Sequence, residues 1–316
     1  MNRIAAAVAL LATAPAWSCD LCAVYSADQA QGQASGVYGA ITEQFTRYGQ
    51  LRDQGRRIDD DAGQYLDSLV MQLVLGYGFS DRASLQVALP YIHRQFSRPE
   101  SEVIENGTLN GLGDVTLIGS YTLYRRMKED STFAARAFAG VKFATGDSDR
   151  LAEELSESDE APAPGEPVSG IHGHDLAFGS GSTDFLFGAS AQGRMEHWLA
   201  RAETQYAYRR RGDFGYRFGN DLQWSAAFGR YLVLEDNRTF AVLAAAEGEY
   251  KQYDDLDGEQ LGDTHCGGWM VGPKLQFTSQ GRWSVDFGGL VPVQQFNSEI
   301  QTTASFRVRG AIGYRF

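Results

Sequence analysis

The segment Ser305–Phe316, SFRVRGAIGYRF, sorts its side chains onto two faces of an extended strand. Because successive side chains of a strand point to opposite sides, odd and even positions face different surroundings. The even positions are mostly apolar, at Phe306, Val308, Ile312, Tyr314 and Phe316. The odd positions include Ser305, Arg307, Arg309 and Arg315. A strand with one hydrocarbon-like face and one ionic face is typical of a transmembrane β-barrel whose interior is wet.

The same alternation recurs along the chain at a spacing that predicts an all-β, up-and-down antiparallel barrel of about 12 strands. A soluble β-sandwich could also place such charges in water, so alternation by itself leaves that alternative open. The predicted strands are 36-48, 66-79, 83-96, 111-125, 132-145, 182-193, 197-210, 219-232, 239-252, 266-279, 283-296 and 301-316.

The connections favour the membrane barrel because short and long ones alternate. Turns of a few residues are predicted near 80-82, 126-130, 193-196, 235-238 and 280-282. Longer polar loops are predicted near 49-65, 97-110, 146-180, 211-218 and 253-265, with a brief one near 297-300. In outer-membrane barrels the short turns are periplasmic and the long loops extracellular. An unpaired backbone group in lipid costs several kcal/mol, so the first and last strands are expected to pair.

Composition agrees with an exported barrel. Glycine is frequent at 36 residues against 8 prolines, and aromatic residues make up 12% of the chain. Charges or glycines interrupt every apolar window after residue 18, which excludes a membrane-spanning helix there. A formal net charge of -12 argues against nucleic acid as a partner, since phosphate binding requires basic patches.

The two ends of the sequence suggest how the chain is exported and assembled. Residues 1-18 combine a basic start, an apolar run and small residues, the pattern of a secretory signal peptide. Residues 19-35 are then a periplasmic segment, and 36-316 the outer-membrane barrel of a Gram-negative bacterium. A terminal aromatic at Phe316 is the feature expected to be recognised by the barrel-assembly machinery, and lipid is expected to contact the outer wall.

Three glycine-containing motifs carry a family resemblance. They are Gly111-Leu112-Gly113-Asp114-Val115-Thr116-Leu117, Gly140-Val141-Lys142-Phe143-Ala144-Thr145-Gly146-Asp147 and Gly179-Ser180-Gly181-Ser182-Thr183-Asp184. In this order the chain resembles the outer-membrane transporters linked to the MetA pathway of phenol degradation, mainly over 111-232. The resemblance implies a barrel and uptake of small, aromatic or hydrophobic molecules, and it transfers no site residues.

Carboxylates in these motifs form the first candidate site. Asp114 and Asp184 fall on the inward phase and Asp147 lies just past a strand end. One interpretation is a ring at the outer mouth that selects cations or holds a metal ion. The other, which we favour, is that each carboxylate caps a turn or pairs with an inward arginine.

The second candidate site is the predicted lumen. An inner wall of mixed charge can line a narrow, selective channel, or its ion pairs can close the barrel, and the sequence favours neither. The inward positions with charges are Arg201, Glu203, Arg209, Glu247, Glu249, Lys251, Asp286, Arg307 and Arg309.

Histidines and cysteines suggest two further sites. His172-Gly173-His174-Asp175 lies in the acidic loop 146-180, where it is either a site for a transition metal or part of a solvated, flexible loop. Cys19 and Cys22 form a C-x-x-C pair, for which we expect a local disulfide because exported cysteines usually oxidise. That pairing leaves Cys266 as a free cysteine facing lipid or lumen.

The sequence therefore predicts a channel or transporter for small solutes, gated by the loop 146-180. The alternative is a surface barrel that transports nothing and binds metal ions or a partner through its loops. No nucleophile and base stand in a convincing catalytic pattern, so we expect neither an enzyme nor a cofactor.

Overall fold

The computed structural model describes residues 35–100, 103–157 and 168–316. Among these residues four short helical turns lie in the connections: Asp149–Glu153, Glu154–Glu157, Gly173–Leu176 and Asp213–Gly215. Within the described ranges no helix has the length and apolarity needed to cross a membrane. The strands are β1 (Gly36–Asp53), β2 (Arg56–Arg57), β3 (Tyr65–Gly78), β4 (Ala83–Glu100), β5 (Val103–Leu112), β6 (Thr116–Met127), β7 (Ser131–Lys142), β8 (Asp184–Met195), β9 (Trp198–Tyr208), β10 (Tyr216–Arg217), β11 (Asp221–Leu234), β12 (Arg238–Lys251), β13 (Asp255–Leu256), β14 (Glu259–Gln260), β15 (Cys266–Ser279), β16 (Trp283–Asn297) and β17 (Gln301–Arg315).

The long strands form a closed barrel. Neighbours in the chain pair antiparallel, and β17 returns to pair with β1 from Tyr38↔Arg315 to Arg52↔Gln301. β5 and β6 together occupy one strand position in the wall. β5 pairs with the second half of β4, from Tyr91 to Glu100, and β6 pairs with the first half, from Ala83 to Ala88. The predicted 12-strand antiparallel meander is therefore confirmed. Closure leaves no sheet edge to be penalised by lipid.

One stretch predicted as a loop is a β-hairpin. Residues 97-110 were expected to be polar and irregular, but β4 continues to Glu100 and β5 pairs back on it from Val103. The following strand, predicted over 111-125, is interrupted at residues 113–115. Beyond the membrane both faces of a hairpin meet water, so apolar alternation is lost although backbone pairing continues.

The wall has the two faces that the alternation predicts. Outward apolar side chains stay exposed, with Phe306 at 39% and Ile312 at 53%, whereas inward Arg307 is 5% exposed. Aromatic and aliphatic side chains cover the outside because hydrocarbon replaces water there. β1 begins and β17 ends at the short-turn end, where the Phe316 N–H donates to the Val37 carbonyl at 3.1 Å. The long connections meet at the opposite end, hereafter the long-loop end.

Candidate functional site

The lumen is lined by apolar as well as charged side chains. Tyr38, Val74, Ile118, Phe138 and Leu186 come from different strands and share one buried cluster on the inner wall. Sequence reasoning assigned the inward positions to charged residues and missed these. The alternation of each strand contains the signal for them. On β7, for example, Phe138 is two residues from the buried Arg136 and therefore lies on the same, inward face. The inner surface is therefore amphipathic.

A chain of buried ion pairs, which we call the wall network, runs across the inner wall near the long-loop end. Lys142 Nζ contacts Asp114 and lies 3.0 Å from Asp184 Oδ2. Arg209 Nη1 lies 3.1 Å from the same Asp184 oxygen, and Arg209 Nη2 lies 2.6 Å from Asp221 Oδ2. These side chains are at most 6% exposed, so each charge depends on its partners rather than on water.

The three glycine-containing motifs converge on Asp114. Its carboxylate accepts hydrogen bonds from the N–H groups of Thr145 at 3.0 Å, Gly146 at 2.9 Å and Ser180 at 2.9 Å. A Cβ atom on Gly146 would lie 2.9 Å from backbone atoms of both Gly113 and Gly179, so the approach requires glycine. The three motifs therefore connect the barrel wall to the loop. Asp114 and Asp184 lie buried at this connection, where both form ion pairs with Lys142.

Asp147 lies at the start of the loop and takes no part in the wall network. Its Oδ1 accepts the Asp149 N–H at 2.9 Å, which is the turn-capping arrangement. Its carbonyl accepts the N–H groups of Phe178 at 3.0 Å and Gly179 at 2.8 Å. The predicted carboxylates therefore separate into two buried members and one exposed cap.

A second group of predicted charges meets halfway down the lumen. Arg309 contacts Glu247, and Arg307 Nη1 lies 4.0 Å from Glu247 Oε2. On the neighbouring strands Lys274 Nζ lies 4.0 Å from Asp286 Oδ1. The cavity among these side chains is only about 20 Å³, roughly the room of a single water molecule. Here the inner wall is packed and largely charge-paired.

Glu249 lies one inward step from Glu247 on β12 and is 5% exposed. Gln223 Nε2 donates to its Oε1 at 3.4 Å, so this carboxylate belongs to a polar row of the inner wall. Glu203 occupies the matching inward phase of β9 and is partly buried.

The short-turn end of the lumen contains a cavity of about 310 Å³. Arg125 and Arg201 supply positive charge to its lining, Gln192 an amide, and Leu199 and Tyr231 apolar surface. Arg201 is thus a predicted lumen residue that lines open space. A cavity of this size and mixed lining is at the lower end of the range for small-molecule sites.

Residues 168–178, which we call the inward segment, fold into the lumen at the long-loop end. Gln64 holds one end, donating to the Val168 carbonyl at 3.0 Å and accepting the Gly170 N–H at 2.8 Å. The Thr302 N–H donates to the Gly170 carbonyl at 2.7 Å. Arg94 Nη1 holds the other end, donating to the Ala177 carbonyl at 2.5 Å. The segment is thereby held against one side of the barrel, where β17, β1, β3 and β4 are neighbours.

Two aliphatic side chains anchor the inward segment. Ile171 is 1% exposed and Leu176 0%, and both belong to one buried cluster with inward residues of the wall such as Tyr48, Phe96 and Met270. The interpretation of this stretch as a solvated loop is therefore wrong for its described residues, most of which are buried. Sequence reasoning missed the anchors because single aliphatic residues in a polar run carry no strand periodicity.

The histidines of this segment lie in a buried, acidic pocket. His174 Nδ1 lies 2.9 Å from Glu154 Oε1, and His174 Nε2 lies 3.6 Å from Asp175 Oδ1. Burial lowers the pKa of His174, but the charges of Asp175 and Glu154 outweigh it and raise the pKa to about 10. Burial likewise raises the pKa of Glu154, but the charge and hydrogen bonds of His174 lower it to about 2.

The side chains of His172, His174 and Asp175 form one cluster. Their nearest ligand atoms all lie within 4.8 Å of one another. The imidazole rings of His172 and His174 are stacked, with centroids 5.6 Å apart. His172 Nε2 also lies 3.4 Å from Asp263 Oδ2, on the connection between β14 and β15. The structure therefore brings together the three residues that the sequence suggests as metal ligands.

The cysteines require one correction. Cys266 is disulfide-bonded, buried and on the inward phase of β15, so it is not the free cysteine that a Cys19–Cys22 bond would leave. Cys19 and Cys22 themselves lie outside the described residues. Because a cysteine pairs with whichever thiol the fold brings near, sequence spacing could not reveal this bond.

Comparison with solved structures identifies the fold. The COG4313 outer membrane channel from Pseudomonas putida F1 superposes with a TM-score of 0.60 at 14% sequence identity, covering 93% of this chain and 100% of that chain. The fold is that of an outer-membrane β-barrel. The apolar outer wall and the short-turn and long-loop ends of this barrel agree with that architecture.

Two further barrels match with lower scores. The β domain of the Bordetella autotransporter BrkA gives a TM-score of 0.46 at 12% identity, covering 89% of this chain and 100% of that one. The CymD monoaromatic hydrocarbon channel gives 0.35 at 8% identity, covering 90% and 89%. At these scores we draw no conclusion from either likeness.

Sequence comparison gives no match at the level of families. No family model matches the chain, and no curated protein matches it. The resemblance to the transporters linked to the MetA pathway therefore stays a prediction.

Proposed function

We propose that this barrel is an outer-membrane channel for small solutes and that the inward segment closes it. The observation that carries the proposal is the inward segment itself, which packs Ile171 and Leu176 across the lumen of a barrel whose outer wall suits lipid. In a barrel that stays closed, side chains of the wall would be enough to fill the lumen. A loop held there by a few hydrogen bonds is instead expected where the lumen has to open. Movement of that loop would open a polar path.

The solute class follows from the short-turn cavity. Four arginines and several apolar side chains line a space of about 310 Å³, which suits a small molecule with an apolar or aromatic body and an anionic or polar group. The arginines are Arg125, Arg126, Arg194 and Arg201. Arginine favours carboxylates because its planar guanidinium donates two parallel hydrogen bonds. Small aromatic acids combine both properties, so we propose them as the first solutes to test.

The proposal includes the setting of the barrel. We place the protein in the outer membrane after removal of residues 1-18, with its long-loop end facing outward and its short-turn end in the periplasm. Phe316 would then be available to the barrel-assembly machinery at the periplasmic end, and lipid would contact the outer wall.

Single-channel recording in planar bilayers tests the proposal. We expect the purified protein to show a small conductance with rare larger openings. Replacing both anchors, Ile171→Ser and Leu176→Ser, should undock the inward segment and raise the mean conductance several-fold. Leu155→Ser is the matched control, because Leu155 lies in the same loop but is 44% exposed.

Liposome swelling with benzoate and with a sugar of similar size provides the solute test. Faster swelling with benzoate supports the assigned solute class. A barrel that stays electrically silent in all variants and admits neither solute is not a channel, and the alternative of a binding barrel would replace the proposal.

A further inference from the structure

The inward segment contains the residues of a metal site, at a position where a metal would bear on closure. His172, His174 and Asp175 belong to one short turn and converge with ligand atoms within 4.8 Å. Two imidazole nitrogens with one carboxylate oxygen are the donors that bind zinc and related transition metals. Three protein ligands with a water molecule in the fourth position are also a common arrangement for zinc.

The hydrogen bonds around His174 orient it for this role. Glu154 Oε1 lies 2.9 Å from Nδ1, which leaves Nε2 directed toward Asp175 Oδ1 at 3.6 Å. A carboxylate that accepts a hydrogen bond from one ring nitrogen fixes the other nitrogen as the metal ligand. Glu154 also accepts the His174 backbone N–H at 2.7 Å, so it positions the whole residue.

His172 supplies the next donor. It precedes the short helical turn Gly173–Leu176, and the side chains of His172 and Asp175 form a capping box across the start of that turn. The Nε2 of His172 faces Asp263 at 3.4 Å. The His172 backbone is fixed as well, because its N–H donates to Asp175 Oδ2 at 3.0 Å. Both imidazoles are therefore held in place by protein contacts before any metal binds.

Asp263 would allow a metal at this site to connect two different loops. It belongs to the connection between β14 and β15, whereas the two histidines belong to the connection between β7 and β8. A metal bound to the inward segment and near Asp263 would join two loops from different parts of the rim. Such a tie would hold the inward segment in the lumen more firmly than the hydrogen bonds alone.

We propose that His172, His174 and Asp175 bind a divalent transition metal such as Zn²⁺, that Glu154 positions His174, and that the metal locks the inward segment inside the barrel. The binding claim is independent of the proposed channel function. The lock builds on that function but has a readout of its own.

Equilibrium dialysis against Zn²⁺ tests the binding, using full-length protein in detergent and without a polyhistidine tag. We expect one ion per chain in the wild type, with loss of that ion in His172→Ala and in Asp175→Asn. His197→Ala is the matched control, because His197 is exposed on a short turn and should leave binding unchanged. Glu154→Gln should weaken binding by about 10- to 100-fold without removing the ligands.

Hydrogen exchange over residues 168–178 tests the lock without reference to conductance. Zn²⁺ should slow exchange of this segment in the wild type and not in His172→Ala. Equal Zn²⁺ binding by His172→Ala and wild type, or no stoichiometric binding at all, overturns the site. Binding that leaves exchange unchanged overturns the lock. Heat-dependent mobility on gels verifies that each variant is a folded barrel.

Discussion

The wall network and the inward segment lie close together at the long-loop end, yet they are built differently. In the wall network every buried charge contacts at least one opposite charge, as in the run from Lys142 through Asp184 to Arg209. The inward segment instead relies on two aliphatic anchors, a few hydrogen bonds to its backbone and one buried histidine. Paired charges fixed to neighbouring strands cannot separate without unfolding the wall, whereas a segment held by single contacts can leave as a unit.

The largest effect is expected from breaking the wall network. Asp184→Ala removes the carboxylate shared by Lys142 and Arg209, leaving both cations with less compensation in a buried place. Because Asp114 and Asp221 remain, we expect a loss of about 3 kcal/mol, the lower end for breaking a buried pair. Urea unfolding in detergent micelles measures it. Glu235→Gln, in an exposed pair on a short turn, should leave the midpoint unchanged, and equal midpoints for both variants would contradict the distinction between the regions.

Releasing the inward segment should change conductance rather than stability. Arg94→Gln removes the charged donor to the Ala177 carbonyl, a bond worth about 1.5 to 3 kcal/mol. We therefore expect the open fraction to rise by about tenfold, since 1.4 kcal/mol corresponds to a factor of ten. Bilayer recording measures this, with Arg282→Gln on a short turn as the charge-matched control. If Arg94→Gln lowers stability as much as Asp184→Ala and leaves the conductance at the wild-type level, the roles assigned to the two regions are reversed.

The pH dependence should distinguish the regions again. The raised pKa of His174 means that its contribution to docking is complete below about 6.5 and is lost as the pH rises toward 10. The lowered pKa of Glu154 means that its contribution is complete above about 4.5 and is lost as the pH falls toward 2. Docking of the inward segment should therefore be strongest between about pH 4.5 and 6.5.

Conductance measured with a chelator present should accordingly increase from pH 6.5 to 10. His174→Gln should remove most of this dependence, while His197→Gln should preserve it. Other groups around His174 are Asp175, Lys251 and Tyr216, of which Tyr216 has a pKa raised well above its usual value by burial and nearby carboxylates. The raised pKa keeps the Tyr216 hydroxyl neutral over this range. An unchanged slope in His174→Gln would therefore refute the assignment.

The smallest effect is expected at Cys266. The sequence contains only two other cysteines, Cys19 and Cys22, so peptide mapping without reductant should show Cys266 linked to one of them. Reduction should free a thiol but leave the barrel folded, because β1 and β17 close it by backbone pairing. Mobility on gels before and after reduction verifies this. A Cys266 peptide that is already free without reductant would contradict the bond.

Much of the wall could be predicted from sequence. Phe306 and Arg307 reveal their opposite faces because a strand alternates strictly and lipid tolerates only one kind of outer residue. The hairpin of β4 and β5 could not be found in this way, since outside the membrane neither face has to be apolar. The partners of Asp114 could not be predicted either, because they come from residues 28 to 66 positions away in the chain.

The candidate metal residues show the same division. Two histidines separated by one glycine and followed by an aspartate suggest a metal site in His172-Gly173-His174-Asp175. Nothing in the local sequence indicates that Glu154 orients His174 or that Asp263 faces His172. Those contacts exist because Ile171 and Leu176 carry the segment into the lumen. The anchors are unremarkable in the sequence, and only the shape of the cavity that they fill makes them important.

The sequence by itself determined the closed antiparallel wall, its two faces and its alternation of short and long connections, because these follow from local periodicity and the cost of unpaired backbone in lipid. The tertiary structure decided which charges pair, which loop turns inward and which cysteine is bonded. Those outcomes depend on distances between residues far apart in the chain, and no local pattern encodes such distances.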